Sequence, residues 1–582
     1  MIGLRQNNLW LDAVVVVGLL AAVIGTSGTV FAQTAELVIT GGKIITMEES
    51  LPEAEAMAIS GGRIMAIGSA AAIEKYIGAE TRVIKLQAGQ TAMPGLIEGH
   101  GHFLGLGQSL MMLNHSTAGN WNDIVEQVRV AASVTPPGQW IIGRGWHQAK
   151  WSETPEPNVE GYPTAEALDK AAPNHPVLLT HASGHMNIVN GYAMRIADIN
   201  ADTKDPVGGE LLRDATGKPT GVLRETAQGL VGRALAIDQA KQSNEQRSAE
   251  LARSIELAGE QCWKNGITSF QDAGTSLSGI RGLRQVALAG KLPVRLWIMI
   301  RDDFARIEQL IHGTRAKGLA NDFFTVEAIK LSIDGALGPH GAWLLAPYAD
   351  LPSSTGLNTI DIDVVKKTAA LAARNNFQFC VHAIGDRANR ETLDIFEKAL
   401  ADHPSRLPRR WRVEHAQHLH PDDIPRFGQL SVIASMQGVH CTSDAIFVPQ
   451  RLGMLRSEQG AYVWRSLLDS GAVVTNGTDT PVEDINPFAS IYASVARRLP
   501  NGDTFFPKQV MTRHEALRSY TIDCAYAAFE ESVKGSLVAG KLADVVIVDN
   551  DLLTCPEEEI INTKVCYTIL GGKVVYEMGG GK

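Results

Sequence analysis

Four histidines, one aspartate and one lysine stand where such groups are costly unless they are used. His100 and His102 close the stretch Pro94-Gly-Leu-Ile-Glu-Gly-His-Gly-His102. Two residues apart at the end of an extended segment, their imidazoles face one side and can share one metal ion. A bare pair of this kind arises often by chance, so its company matters. His382 follows Cys380-Val, His415 follows Arg412-Val-Glu, and Asp479 follows Val474-Thr-Asn-Gly-Thr, each just past a short apolar run. Lys330 lies inside another such run, Val326-Glu-Ala-Ile-Lys-Leu-Ser-Ile-Asp334. A lysine there must desolvate its ammonium, which is expensive unless the group is paired or neutralised. Pairing with Asp334 or Glu414 is one solution. A carboxylated lysine, whose carbamate oxygens bridge two metal ions, is the preferred one, because the site otherwise lacks a bridging ligand.

The elements that must position these groups are legible as alternating short apolar strands and helical patterns. Strands are expected at Ala92–Gly99, Ile267–Gln271, Val294–Ile300, Val326–Ile333, Phe377–Val381, Arg412–Glu414, Val432–Ser435 and Val473–Asn476, with helices such as Ser248–Asn265, Val364–Asn375 and Arg390–Asp402 between them. Eight strands in this order point to an α/β chain built on a parallel (β/α)8 TIM barrel, whose strand ends meet on one rim. The long interval from His102 to Ile267 predicts an insertion or cap over about 110–224, rich in Trp and Gly. Short strands at both ends, Ala35–Thr46 and Glu55–Gly68 against Ala543–Asp549 and Tyr567–Tyr576, predict a composite β-sandwich of residues 33–91 and 535–582 flanking a barrel of residues 92–534. Gly-Gly pairs, including Gly41-Gly42, are expected in hairpin turns.

The chain of 582 residues is 45% hydrophobic and 20% charged, with a net charge of −10 and a pI near 5.9. That balance excludes global disorder and argues against a nucleic-acid binder. Six scattered cysteines without a CxxC pair argue against a disulfide scaffold or a cysteine zinc site. Arg5 precedes the apolar run Ala13–Gly25, too short to span a bilayer comfortably, and small residues follow it up to Ala32. This predicts a signal peptide over residues 1–32, cleavage near Ala32, and a periplasmic or secreted protein without stable membrane insertion. An uncleaved single-helix anchor is the alternative.

The motifs are specific enough to name a relationship. Met93-Pro-Gly-Leu-Ile-Glu-Gly-His-Gly-His, Gly143-Arg-Gly-Trp, Pro219-Thr-Gly-Val-Leu-Arg-Glu, Val381-His-Ala-Ile-Gly-Asp-Arg-Ala-Asn, Val413-Glu-His-Ala-Gln-His and Asn476-Gly-Thr-Asp-Thr-Pro-Val-Glu-Asp resemble the amidohydrolase superfamily. Within it the chain resembles the YtcJ-like branch, amidohydrolase family 3, which includes N-substituted formamide deformylase. The resemblance implies a metal-dependent hydrolase of a non-peptide C–N bond with one or two Zn2+ ions. His100 and His102 would hold the first ion, His382 and His415 the second, Lys330 would bridge them, and Asp479 would contact the first. Metal ions of this kind lower the pKa of a bound water and polarise a carbonyl, while Asp479 serves as general base and then acid. Two departures, Asp334-Gly-Ala-Leu-Gly-Pro-His-Gly after the fourth strand and Gln437-Gly-Val-His440 near the seventh, leave the substrate open. His440, Arg144, Trp146, His181 and His185 are the substrate-contacting candidates, with ordinary packing or loop roles as the alternative. Asp272 and Asp386 either orient ligands or cap helices. The expected partners are a small-molecule substrate, without nucleic acid, and a second copy of the chain in a homodimer. Deamination, ester or lactone hydrolysis, and a non-catalytic exported binding protein are the rival readings.

Overall fold

The computed structural model describes residues 34–580. At its centre lie eight strands: β1 (Leu96–Gly101), β2 (Ile267–Thr275), β3 (Arg295–Ile300), β4 (Phe324–Ser332), β5 (Gln378–Ala383), β6 (Arg412–His415), β7 (Ile433–Gln437) and β8 (Val474–Gly477). They pair in parallel and in chain order. The segment after β8 returns to β1: the Asp479 N–H donates to His100 O at 2.8 Å and the His102 N–H to Thr480 O at 2.7 Å. Every residue of β1, β3, β5, β6, β7 and β8 is buried, as a strand covered on both faces requires. Helices Asn244–Lys264, Ile362–Asn375 and Asp386–Asp402 pack outside. The first of these starts at Ser243, whose hydroxyl and Gln246 form a reciprocal cap.

The expected first barrel strand is two strands. Thr91–Pro94 pairs antiparallel with Val545–Val548, and the chain joins the barrel only after Gly95. A Cβ at residue 95 would sit 2.3 Å from Thr268 Oγ1, so this crossing point has room for glycine alone.

Both chain ends share one continuous eight-stranded sheet, made of Leu37–Ile45, Glu53–Ser60, Arg63–Gly68, Arg82–Lys85, Thr91–Pro94, Val545–Val548, Val565–Leu570 and Lys573–Glu577. The expected turn at Gly41-Gly42 is absent. Leu37–Ile45 is a single strand whose register shifts between Thr40 and Ile44, because its first half pairs with Arg82–Lys85 and its second with Thr91–Pro94. Gly61-Gly62 and Gly571-Gly572 do turn hairpins. Buried Ile39, Ile44, Ile59, Val545, Ile547 and Ile569 form the core of this sheet. Arg295, at the start of β3, ties it to the barrel through two bonds to the Asp544 carboxylate, at 2.7 and 3.0 Å.

Between β1 and β2 the chain builds a six-stranded sheet that runs from Leu113 to Glu225, with Trp146, Ile141, Leu179 and Met186 in its core. All six cysteines are buried and free. Among the described residues no helix is long and apolar enough to cross a membrane. The expected export signal, residues 1–32, lies outside the described residues.

Candidate metal centre

β1 ends in Gly99-His100-Gly101-His102, and the loop after β8 brings Asp479 to the same place. Asp479 Oδ1 lies 3.5 Å from His100 Nε2 and 3.2 Å from His102 Nε2. These three donors lie within 4.8 Å of one another, a spacing that suits one metal ion. His100 Nε2 and Asp479 Oδ1 are buried, and neither makes a hydrogen bond. Buried polar atoms are seldom left so, and a cation between them would satisfy both. Asp479 (φ 56°) and His415 (φ 75°) both hold the left-handed backbone that L side chains disfavour, a cost that clusters at functional sites.

Behind His100 stands a buried chain of charge. Glu414 Oε2 accepts from His100 Nδ1 at 2.5 Å, and Glu414 Oε1 lies 2.7 Å from Arg412 Nε. Burial raises the Glu414 pKa, but Arg412 and His100 outweigh it and hold the carboxyl well below its usual range. With Nδ1 bonded to Glu414, His100 presents Nε2 as its free lone pair. Burial raises the Asp479 pKa too, but the adjoining His100 and His102 imidazoles outweigh it and hold the carboxyl low.

Lys330, His382 and His415 complete the ring of strand ends. The ring centroid of His415 is 4.7 Å from that of His100 and 4.5 Å from that of His382. His415 Nδ1 is 2.7 Å from Gln437 Oε1, and His382 Nε2 is buried without a hydrogen bond, 3.5 Å from Asp334 Oδ1. Burial pushes both imidazoles well below their ordinary pKa, toward the neutral form that offers a lone pair. Lys330 is 2% exposed, and its Nζ donates to Ala273 O at 3.3 Å. Among the described residues it pairs with neither Asp334 nor Glu414. Asp334 accepts N–H groups of Trp343, Ile384 and Gly385, while Glu414 is taken by His100 and Arg412. Burial brings the Lys330 pKa down to about 8, which leaves an appreciable neutral, nucleophilic fraction near neutral pH.

These groups open onto a cavity of about 720 Å3 that also receives Arg144, His185 and Arg301. A smaller cavity of about 50 Å3 shares His185, His382, His415 and Asp479 with it and adds His440. The His440 ring stacks on that of His415 at 6.3 Å. His185 faces His382 at 5.0 Å, and its Nδ1 bonds Glu225 at 2.7 Å. His181 lines the smaller cavity, with its ring nitrogens 2.8 Å from Ser183 Oγ and 3.0 Å from Gln148 Oε1. Trp146 does not reach either cavity. It is fully buried in the core of the cap, donates to Leu179 O at 2.9 Å and stacks on Trp151 at 6.0 Å. Its size and apolar neighbours make it a packing residue. Asp272 accepts the N–H of Phe103, and Asp386 those of Leu345 and Arg387, so both fix backbone beside helix starts. Arg301 is a pocket residue that motif reading passes over, and Glu225, the partner of His185, closes the motif Pro219–Glu225, which gives it no role. Arg301 sits directly after β3, the only signal that pointed to it.

Residues 87–576 match the model of the amidohydrolase family. Among similar proteins, LONG AFTER FAR-RED 3 of Arabidopsis thaliana is 32% identical, covering 93% of this chain and 92% of its own. The putative amidohydrolase YtcJ of Bacillus subtilis is 30% identical, covering 92% and 98%, and N-substituted formamide deformylase of Arthrobacter pascens is 27% identical, covering 94% and 99%. The crystal structure of an uncharacterized metal-dependent hydrolase from Pyrococcus furiosus superimposes with a TM-score of 0.68 at 26% identity, over 89% of this chain and all of that one.

Proposed function

The chain belongs to the amidohydrolase family and is a metal-dependent hydrolase; within that class we propose that it cleaves a non-peptide C–N bond of amide, N-formyl or N-acyl type. The observation that carries the metal reading is the trio His100, His102 and Asp479, in which the buried His100 Nε2 and Asp479 Oδ1 have no protein donor to satisfy them. We assign His382, His415 and Lys330, as its carbamate, to a second ion and the bridge, and Zn2+ to both positions. The nitrogen-rich donor set suits zinc. Similarity to N-substituted formamide deformylase supports the C–N assignment. Zinc held there supplies Lewis acidity and makes water a nucleophile near neutral pH.

Asp479 does the proton work. Its carboxyl is ionised, so it can accept a proton from the attacking water and pass it to the nitrogen as the C–N bond breaks. Glu414 keeps His100 in one tautomer throughout, and Gln437 orients His415. His440 and His185 stand beside the ligand histidines and face the cavities, where they can contact the carbonyl or its substituents. The export expectation, a protein in the periplasm or outside the cell, stays part of this reading. Asp479→Asn should lower kcat by at least about a thousandfold while elemental analysis still finds most of the metal. Turnover within tenfold of the unaltered enzyme would remove Asp479 from the proton-transfer role.

A further inference from the structure

The main cavity and the smaller one meet at six residues: Ser183, His185, His382, His415, Asp479 and Val482. A scissile group set between the cavities must touch this collar. His382 and His415 are assigned to the metal, and Asp479 to the proton. The Ser183 hydroxyl lies 2.8 Å from His181 Nδ1, and Val482 is apolar. His185 is the polar side chain of the collar still without a task. It comes from the cap, directly before the strand Met186–Val189, and not from the barrel.

His185 is held as His100 is held. Its Nδ1 donates to Glu225 Oε2 at 2.7 Å, as that of His100 does to Glu414. Among the described residues these are the only two histidines whose Nδ1 meets a buried carboxylate. With Nδ1 committed, Nε2 is the nitrogen left for a ligand. The His185 side chain is 24% exposed, and it lines both cavities.

The pair is not needed to join the cap strands. The Glu225 N–H already donates to His185 O at 2.9 Å, and Met186 pairs with Arg224 beside it. The side-chain bond instead comes at a cost. Glu225 holds φ 48°, in the left-handed region that L side chains disfavour, and its Oε1 is buried without a hydrogen bond. The loop after β4 leaves room for that carboxyl: a Cβ on Gly335 or on Gly341 would collide with Glu225 Oε1. Strain, an unsatisfied oxygen and a bare seat on the barrel coincide where the carboxylate grips His185. A connection between two strands requires none of them.

We propose that His185 is a catalytic residue supplied by the cap, contacting the scissile group through Nε2, and that Glu225 is the positioning residue that keeps this nitrogen free between the cavities. This deepens the C–N hydrolase reading and rests on it. The barrel rim gathers the metal ligands, and docking of the cap completes the reacting site.

Two substitutions at one position separate this role from that of a latch. Asparagine puts an N–H where Nδ1 stood and keeps a bond to Glu225, but has nothing at Nε2. Glutamine reaches the Nε2 position instead. The zinc-loaded full chain is assayed with 4-nitroformanilide and 4-nitroacetanilide by release of 4-nitroaniline, with metal content and thermal midpoint measured for every variant. Separately, acetohydroxamate, an amide analogue that chelates zinc, is titrated by calorimetry. His185→Asn should lower kcat at least about tenfold, the scale of one lost hydrogen bond, with KM within about threefold. It should weaken acetohydroxamate binding by about as much, and His185→Gln should recover part of both. Glu225→Gln should cost about tenfold in the unaltered protein but less than about twofold on top of His185→Asn. Full activity of His185→Asn, or losses at the two positions that simply multiply, would overturn the proposal while leaving C–N hydrolysis standing. No turnover of either anilide, with acetohydroxamate binding still dependent on His185, would uphold the contact and count against the amide reading. If that binding too is indifferent to His185, both fall.

Discussion

The buried line from His100 through Glu414 to Arg412 makes the most demanding prediction. Glu414→Gln keeps the side-chain volume and removes one negative charge from a fully buried position. Arg412 then retains its bonds to Gly99 O, Ser435 Oγ and Gln271, but loses its counter-ion. At a charge separation of about 4 Å and an effective dielectric near 20, that attraction is about 4 kcal/mol. The surviving neutral bonds offset part of it, so urea unfolding of the metal-free protein should show a loss of roughly 3 kcal/mol, the low end for breaking a buried pair. His100 also loses the acceptor that fixes its tautomer, and metal affinity should fall about 10- to 100-fold in competition with a chromogenic chelator. The pH dependence has a definite sign. The folded pKa of Glu414 lies below its unfolded value of about 4.3, so its contribution is complete above that pH and is lost as pH falls toward the folded value. The difference between protein and variant should therefore be widest at neutral pH and shrink below about pH 4. Adding Arg412→Met should recover part of the stability but none of the metal affinity. Unaltered metal affinity and an unaltered urea midpoint in Glu414→Gln would refute the reasoning.

Lys330→Ala should lose bound metal and nearly all turnover, and 13C-bicarbonate should label a carbamate in the unaltered protein alone; fully active protein without that signal would remove the bridge. Trp146→Phe should leave KM unchanged, because the ring touches no cavity, whereas Trp146→Ala should cost about 3–5 kcal/mol in the cap. A large rise in KM for the phenylalanine variant would return Trp146 to the substrate site. Chelation should lower the thermal midpoint and added zinc restore it, by about 2.7 kcal/mol at a free concentration a hundred times Kd. A midpoint indifferent to chelator would count against a metal between His100, His102 and Asp479.

The barrel was legible because its strands are buried on both faces and appear as apolar runs between helical patterns. His100, His102, His382, His415 and Asp479 could be read because each closes such a run. Lys330 stood out because charge inside an apolar strand is rare. Its surroundings were not legible: Glu414 serves His100 rather than Lys330, a pairing set by the curvature of the barrel and not by local spacing. Arg144 and Trp146 share one motif and, two residues apart, would face one side of a regular strand, yet only Arg144 faces the cavity, because the strand's register shifts between them at Gly145. Gly41-Gly42 looked like a turn since composition alone cannot show a third strand waiting to pair across it. Glu225 becomes a neighbour of the site only when the cap folds over the rim, and Arg301, directly after β3, lies in no motif that marks it.

The crossing at Gly95 has a bearing on how the protein is made. Thr91–Pro94 is anchored by Val545–Val548, which leaves the ribosome long after it, and six residues beyond Pro94 the same chain reaches the paired histidines. Asp479 also emerges late. The first half of the metal site is thus synthesised well before the strand that anchors it, Val545–Val548. Stable metal capture then waits for Asp479 and Val545–Val548, and a chain cut before Val545 would leave its histidines poorly placed to hold the ion.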